Sequence, residues 1–139
     1  MHFKQGDLFW GMSKDFVQEA MDMSEKLSCD EGDILFQEGD PADHFFILLK
    51  GRVLLSHGKE GPTVHMARHT GEFIGWSTLT GRESFSASGK CLEPTSLLKF
   101  ERDRFLRILE TNSENAAMLF KRLAITLGKR LVQTYPTAV

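Results

Sequence analysis

The apolar residues in the middle of this chain come in short runs: Ile34–Leu35–Phe36, then Phe45–Phe46–Ile47–Leu48–Leu49, then Val53–Leu54–Leu55. Each run is three to five residues long and is bounded by Gly, Pro or Asp, with Lys50–Gly51–Arg52 separating the last two. A helix that buries one face needs a longer segment with apolar side chains three and four apart, so runs this short read as strands. Gly58–Lys59–Glu60–Gly61–Pro62 reads as a hairpin tip and His69–Thr70–Gly71–Glu72 as a second turn, with Val64, Met66 and Arg68 on a strand between them. Ser84 to Leu92 and Leu97 to Phe100 complete seven or eight strands, which predicts an all-β sandwich or roll.

The ends of the chain change period. Ser13 is placed to cap a helix, Asp15 lies in its first turn, and Phe16, Ala20, Met23 and Leu27 recur at steps of four, three and four. Phe105, Leu106, Ile108 and Leu109 fit a short helix after Glu101–Arg102–Asp103, and Ser113 caps a longer one reaching about Gln133. In that last helix Ala117, Phe120, Ala124, Leu127 and Leu131 step by three, four, three and four, the a/d seam of a two-stranded coiled coil. The seam predicts a homodimer, while Leu119 and Leu123 lie beside it and are placed to pack on the roll. A chain of 139 residues hides about two-thirds of its surface and supports one core. The reading is one domain over 1–139: a helical region over 8–28, a β-roll over 29–100 and C-terminal helices over 101–133.

Several function classes are set aside by the same residues. Residues 1–50 carry four basic and eleven acidic side chains, residues 51–98 five and four, and residues 99–139 eight and four. An acidic front does not suit a nucleic-acid binder, whose basic face must displace phosphate counterions. The basic charges near the end fall at helical spacing, as on a solvated helix face. No apolar run approaches the ~20 residues that span a bilayer, and the start has no signal-peptide core, so a soluble cytoplasmic protein without a membrane partner is expected.

Cys29 and Cys91 form no zinc spacing and no disulfide framework, and neither has basic neighbours to activate a thiol. The histidines, His2, His44, His57, His65 and His69, form no HxH pair of the kind a cupin metal site uses. With no Ser-His-Asp or Cys-His set to assemble, no catalytic residue, metal or cofactor is expected.

A family resemblance enters through the glycines. The stretch Gly32-Asp33-Ile34-Leu35-Phe36-Gln37-Glu38-Gly39-Asp40-Pro41-Ala42-Asp43-His44, continuing to Lys50-Gly51-Arg52-Val53, resembles the first half of a cyclic-nucleotide-binding domain. Gly71-Glu72-Phe73-Ile74-Gly75 followed by Trp76-Ser77-Thr78-Leu79 resembles the second signature, and the likeness runs from about Leu8 to Leu131. The resemblance implies a mostly β fold: a double-stranded β-helix, or jelly roll, with an N-terminal helix and two C-terminal helices. Such domains occur in bacterial transcription regulators, kinase regulatory subunits and gated channels.

It also implies a phosphate-binding cassette at Gly75, Trp76, Ser77 and Thr78, a short turn whose backbone N–H groups face a cyclic phosphate. The cassette closes at Ser84, Phe85, Ser86, Ala87 and Ser88, with Arg82 in its loop. Here the chain departs from the family pattern. The family places Glu, which binds the ribose 2′-hydroxyl, where this chain has Trp76. It places Arg, bidentate to the phosphate, where this chain has Phe85. A hydrogen bond to a charged group contributes about 1.5–3 kcal/mol, so losing both contacts weakens cyclic-nucleotide binding by roughly two to four decades.

These departures leave alternatives open. Trp76 and Phe85 either close the pocket as extra core or stack on a flat ligand. Arg82 is either a loop charge or a substitute phosphate ligand, and Ser84, Ser86 and Ser88 either offer hydroxyls to an anion or form the polar face of a strand. After Leu131 eight residues remain, too few for a helix-turn-helix, so no direct DNA binding is expected and any output must pass through an unidentified protein partner. Two readings follow. One is a bacterial sensor module with weak cyclic-nucleotide binding or another small anionic ligand; the other is a ligand-free interaction scaffold.

Overall fold

The computed structural model describes residues 7–58 and 61–136. Helix α1, Lys14–Met23, leads into eight strands: β1 Glu25–Cys29, β2 Ile34–Phe36, β3 His44–Lys50, β4 Val53–Ser56, β5 Thr63–Ala67, β6 Phe73–Ile74, β7 Ser88–Cys91 and β8 Thr95–Glu101. A 3₁₀ turn at Trp76–Leu79 follows β6, and helices α2, Arg102–Glu110, and α3, Ser113–Gln133, close the chain. All pairings are antiparallel and form two four-stranded sheets, ordered β1-β8-β3-β6 and β2-β7-β4-β5. The two sheets face each other as a jelly roll, with one helix before it and two after.

The five-residue apolar run in β3 follows from its position between two packed layers. Phe45 and Ile47 point into a cluster under the helices with Phe9, Phe16, Phe100 and Phe105. Phe46 and Leu48 point the other way, into the space between the sheets, with Phe36, Val53, Leu55, Phe85 and Leu97. A strand covered on both faces carries apolar residues at every position rather than at alternate ones. In the helical layer Phe45 stacks on Phe100 at 4.7 Å between ring centroids and meets Phe105 edge-on at 4.8 Å.

Several sequence expectations need correction, among them Arg68, which lies just past β5, and the start of α2, which is Arg102 rather than after Asp103. Helix α1 ends at Met23, and Leu27 belongs to β1, paired with Leu97 of β8. The spacing that places Leu27 on a helix also suits a strand, and pairing with β8 settles it through contacts far away in sequence. The expected strand over Ser84 to Leu92 forms a ladder only at Ser88–Cys91, while Ser84 makes an isolated bridge to Pro41. Ser113 is the first residue of α3, whose N-cap is Asn112. Of the expected hairpin tip, Lys59 and Glu60 lie outside the described residues, as do His2 and the last three residues of the chain.

Gly51 shows why the turns use glycine. It sits between β3 and β4 at φ 110°, and a Cβ there would lie 2.7 Å from the Thr95 Cα and 2.9 Å from the Pro94 carbonyl oxygen. Both the backbone angle and the space exclude a side chain. Gly51→Ala is therefore expected to cost about 2–5 kcal/mol of stability, read as a fall in the urea midpoint at unchanged m-value.

Candidate functional site

The segment Gly75–Leu79 lies at one mouth of the roll. Gly75 takes a left-handed conformation, φ 96° and ψ 45°, which turns the chain from β6 into the 3₁₀ turn. The Thr78 N–H donates to the Gly75 carbonyl at 3.1 Å, and the Thr78 hydroxyl donates to the His44 carbonyl at 2.7 Å, tying the turn to β3. The loop facing it is stitched to the turn after β2: Phe85 N–H donates to Asp40 O at 2.9 Å, Gly39 N–H to Phe85 O at 3.0 Å, and Ala42 N–H to Glu83 O at 2.9 Å.

Between the turn and this loop lies a cup lined by Phe36, Leu55, Gly75, Trp76, Ser77, Phe85, Ser86 and Ala87. Six of the residues singled out in the sequence meet there. Thr78 is buried but does not line the cup, Arg82 is exposed, and Ser84 sits in its bridge to Pro41. Phe36 and Leu55 complete the walls. Both belong to apolar runs read as strands, but a run with no alternation does not show which side faces inward.

The cup is nearly full. Phe85 lies 4.1 Å from Phe36 between ring centroids at an interplanar angle of 16°, and both rings are buried in the layer between the sheets. The remaining volume is about 20 Å³. That is room for a water molecule, whereas pockets for small organic ligands occupy roughly 300–1,000 Å³. Trp76 lines the rim and also packs against the apolar cluster under the helices.

The two serines of the cup bind each other. The Ser86 N–H donates to the Ser77 hydroxyl oxygen at 3.3 Å, and the two hydroxyls lie 3.2 Å apart. The Ser77 and Ser86 hydroxyls, which the sequence offered to an anion, thus lie against each other across the cup.

Elsewhere the chemistry is quiet. Burial pushes the Cys91 thiol up to about 11 and raises that of Cys29 as well, so neither supplies a thiolate near neutrality. The His65 Nε2 lies 2.6 Å from Glu72 Oε2 rather than beside His69. Among the described residues no three His, Cys, Asp or Glu side chains gather where they could hold a metal, and no helix is long and apolar enough to cross a membrane.

Helix α3 presents two contrasting faces. Leu119 and Leu123 are buried on the roll side. The seam residues Ala117, Phe120, Ala124 and Leu131 are exposed and Leu127 is half-buried, with Phe120 at 41% and Leu131 at 57% exposure.

The family model described as cyclic nucleotide-binding domain matches residues 26–112. A cyclic nucleotide-binding domain from Methylobacillus flagellatus KT superposes with a TM-score of 0.77 at 23% identity, covering 91% of this chain and 72% of its own. The sensor domain of the transcriptional regulator DNR from Pseudomonas aeruginosa gives 0.74 at 23% identity over 95% and 90%. The catabolite activator protein of Thermus thermophilus gives 0.73 at 25% identity, over 91% of this chain and 58% of that one. No curated protein sequence is matched.

Proposed function

Since the chain belongs to the cyclic nucleotide-binding domain family, we propose that it is a non-catalytic regulatory module whose cup is closed to cyclic nucleotides and whose output runs through α3 as a homodimer. The observation that carries this reading is the Phe85 ring. It stands where the family resemblance calls for the phosphate-binding arginine, and it stacks on Phe36 so that about 20 Å³ remains. The Ser77 hydroxyl, which accepts the Ser86 N–H, supports it further.

The small volume favours the ligand-free scaffold over a sensor of a different small anion, because any such ligand must first turn Phe85 off Phe36. In the dimer, Ala117, Phe120, Ala124, Leu127 and Leu131 of two copies would meet, and Glu110 to Ser113 would serve as the hinge between roll and dimer helix. A downstream protein would then read the dimer in a soluble, cytoplasmic setting.

Calorimetric titration with cyclic AMP and cyclic GMP tests the first half. No saturable heat is expected below about 1 mM, given the two to four decades lost with the charged contacts. Low-micromolar binding of either nucleotide would overturn the closed cup. Native mass spectrometry of the purified protein separates the two readings: a stoichiometric co-purified small molecule would restore the sensor, and a bare chain mass supports the scaffold.

A further inference from the structure

Helix α3 lays two arginines against the rest of the molecule, Arg122 and Arg130, and they are held very differently. Arg122 donates through one terminal nitrogen to the carbonyl oxygens of Asp7, Leu8 and Trp10 at 2.9, 2.9 and 2.6 Å. Arg130 is more buried than its role on a helix end requires, with 17% of its side chain exposed. Among the described residues its ion-pair partner is Glu72, at 3.7 Å. Glu72 directs its short contacts elsewhere: His65 Nε2 at 2.6 Å, and the backbone N–H groups of Arg68 and His69 at 3.3 Å each.

A cavity of about 60 Å³ lies around this junction, lined by Leu8, Gly71, Phe73, Leu123 and Thr126 together with the three charged side chains Glu72, Arg122 and Arg130. The charged groups at this junction are Glu72, itself bound to His65, Arg122 on the same helix as Arg130, and the Asp7 carboxylate, which lies against Gly71.

We infer that Arg130 and Glu72 form a release catch, an ion pair that adds no net stability to the contact of the last turns of α3 with the roll but loosens that contact when Glu72 loses its charge. The reason is an asymmetry between the partners. Burial works against the Glu72 carboxylate, yet the His65 hydrogen bond and the N–H groups of His69 and Arg68 outweigh it and hold its carboxyl below the ordinary range. Glu72 is thus satisfied without Arg130. For Arg130 the reverse holds: burial disfavours its charge, and Glu72 is the charge that offsets this. Its contact to Glu72 is long, and since no buried side-chain nitrogen among the described residues lacks a partner, its remaining donors reach solvent while Glu72 supplies the counter-charge. Removing the acid takes the counter-charge from a half-buried cation, whereas replacing the base with an apolar chain of similar length removes the charge itself.

This goes beyond the closed cup and depends on the proposed function only in treating α3 as the output element. Hydrogen–deuterium exchange of the full chain, read on peptides covering residues 124–133, tests it independently of any nucleotide titration. Glu72→Gln should speed exchange there by about tenfold, since a half-buried guanidinium then loses its counter-charge. Arg130→Met should leave exchange unchanged or slow it, and Arg122→Met, which removes three carbonyl contacts, should speed it. An ordinary stabilising ion pair predicts faster exchange in both Glu72→Gln and Arg130→Met, and that result overturns the catch, as does no response to Glu72→Gln. If Glu72→Gln does not fold, Arg130→Met decides alone: faster exchange overturns the inference, and unchanged or slower exchange supports it.

Discussion

The double variant Trp76→Glu, Phe85→Arg is expected to bind cyclic AMP with a dissociation constant of tens of micromolar, where the native chain shows no saturation below about 1 mM. Two effects add. Removing the Phe85 ring takes away the partner that stacks on Phe36 at 4.1 Å and opens the space beside Gly75. The new guanidinium and carboxylate then supply charge-assisted contacts to phosphate and ribose, each contributing about 1.5–3 kcal/mol. Trp76→Glu alone should bind nothing, because Phe85 still fills the cup, and Phe85→Arg alone should fall between.

The substitutions also cost stability. Phe85 is 6% exposed and Trp76 packs on the helical cluster, so several kcal/mol of a typical 5–15 kcal/mol are at stake. Circular dichroism at the titration temperature must therefore accompany the calorimetry. A folded double variant that stays blind to both cyclic nucleotides would show that the Gly75 turn no longer holds a phosphate-binding shape.

The short apolar runs and the glycines between them were enough to read a β-roll flanked by helices, because strand length and turn chemistry are local properties. The cassette was legible only through the family resemblance, with which the left-handed Gly75 before the 3₁₀ turn agrees. What the sequence could not show depends on contacts distant along the chain. Leu27 reads as a fourth helical step, and only its pairing opposite Leu97 places it in β1. Ser84 and Ser86 alternate like strand residues, yet the backbone there is claimed by the turn after β2, through Asp40 and Ala42. Phe85 stacks on Phe36, a ring 49 positions earlier in an apolar run that gave neither its facing nor its partner. Arg130 belonged to an ordinary basic helix face in the sequence, and only the fold brings it to Glu72.

Phe120→Glu should abolish self-association at micromolar concentrations while leaving the protomer folded. Leu119 and Leu123 fasten α3 to the roll, and Phe120 lies on another side of the helix at 41% exposure, so the substitution touches no contact within the chain's core. At a two-fold seam each change counts twice. Burying a phenylalanine side chain contributes about 1.5–3 kcal/mol, so two copies account for roughly 3–6 kcal/mol, or two to four decades in the dimer dissociation constant. The introduced carboxylates would also face each other in the seam, where like charges repel. Sedimentation velocity over a concentration series measures the effect, with the thermal midpoint of the dilute protomer as the check on folding. Leu119→Ala gives the opposite pattern: a loss of about 2–5 kcal/mol in protomer stability with the seam residues intact. A native chain that stays monomeric at tens of micromolar, or a Phe120→Glu variant that associates as tightly as the native one, would remove α3 as the dimer helix and leave its exposed apolar seam to another protein.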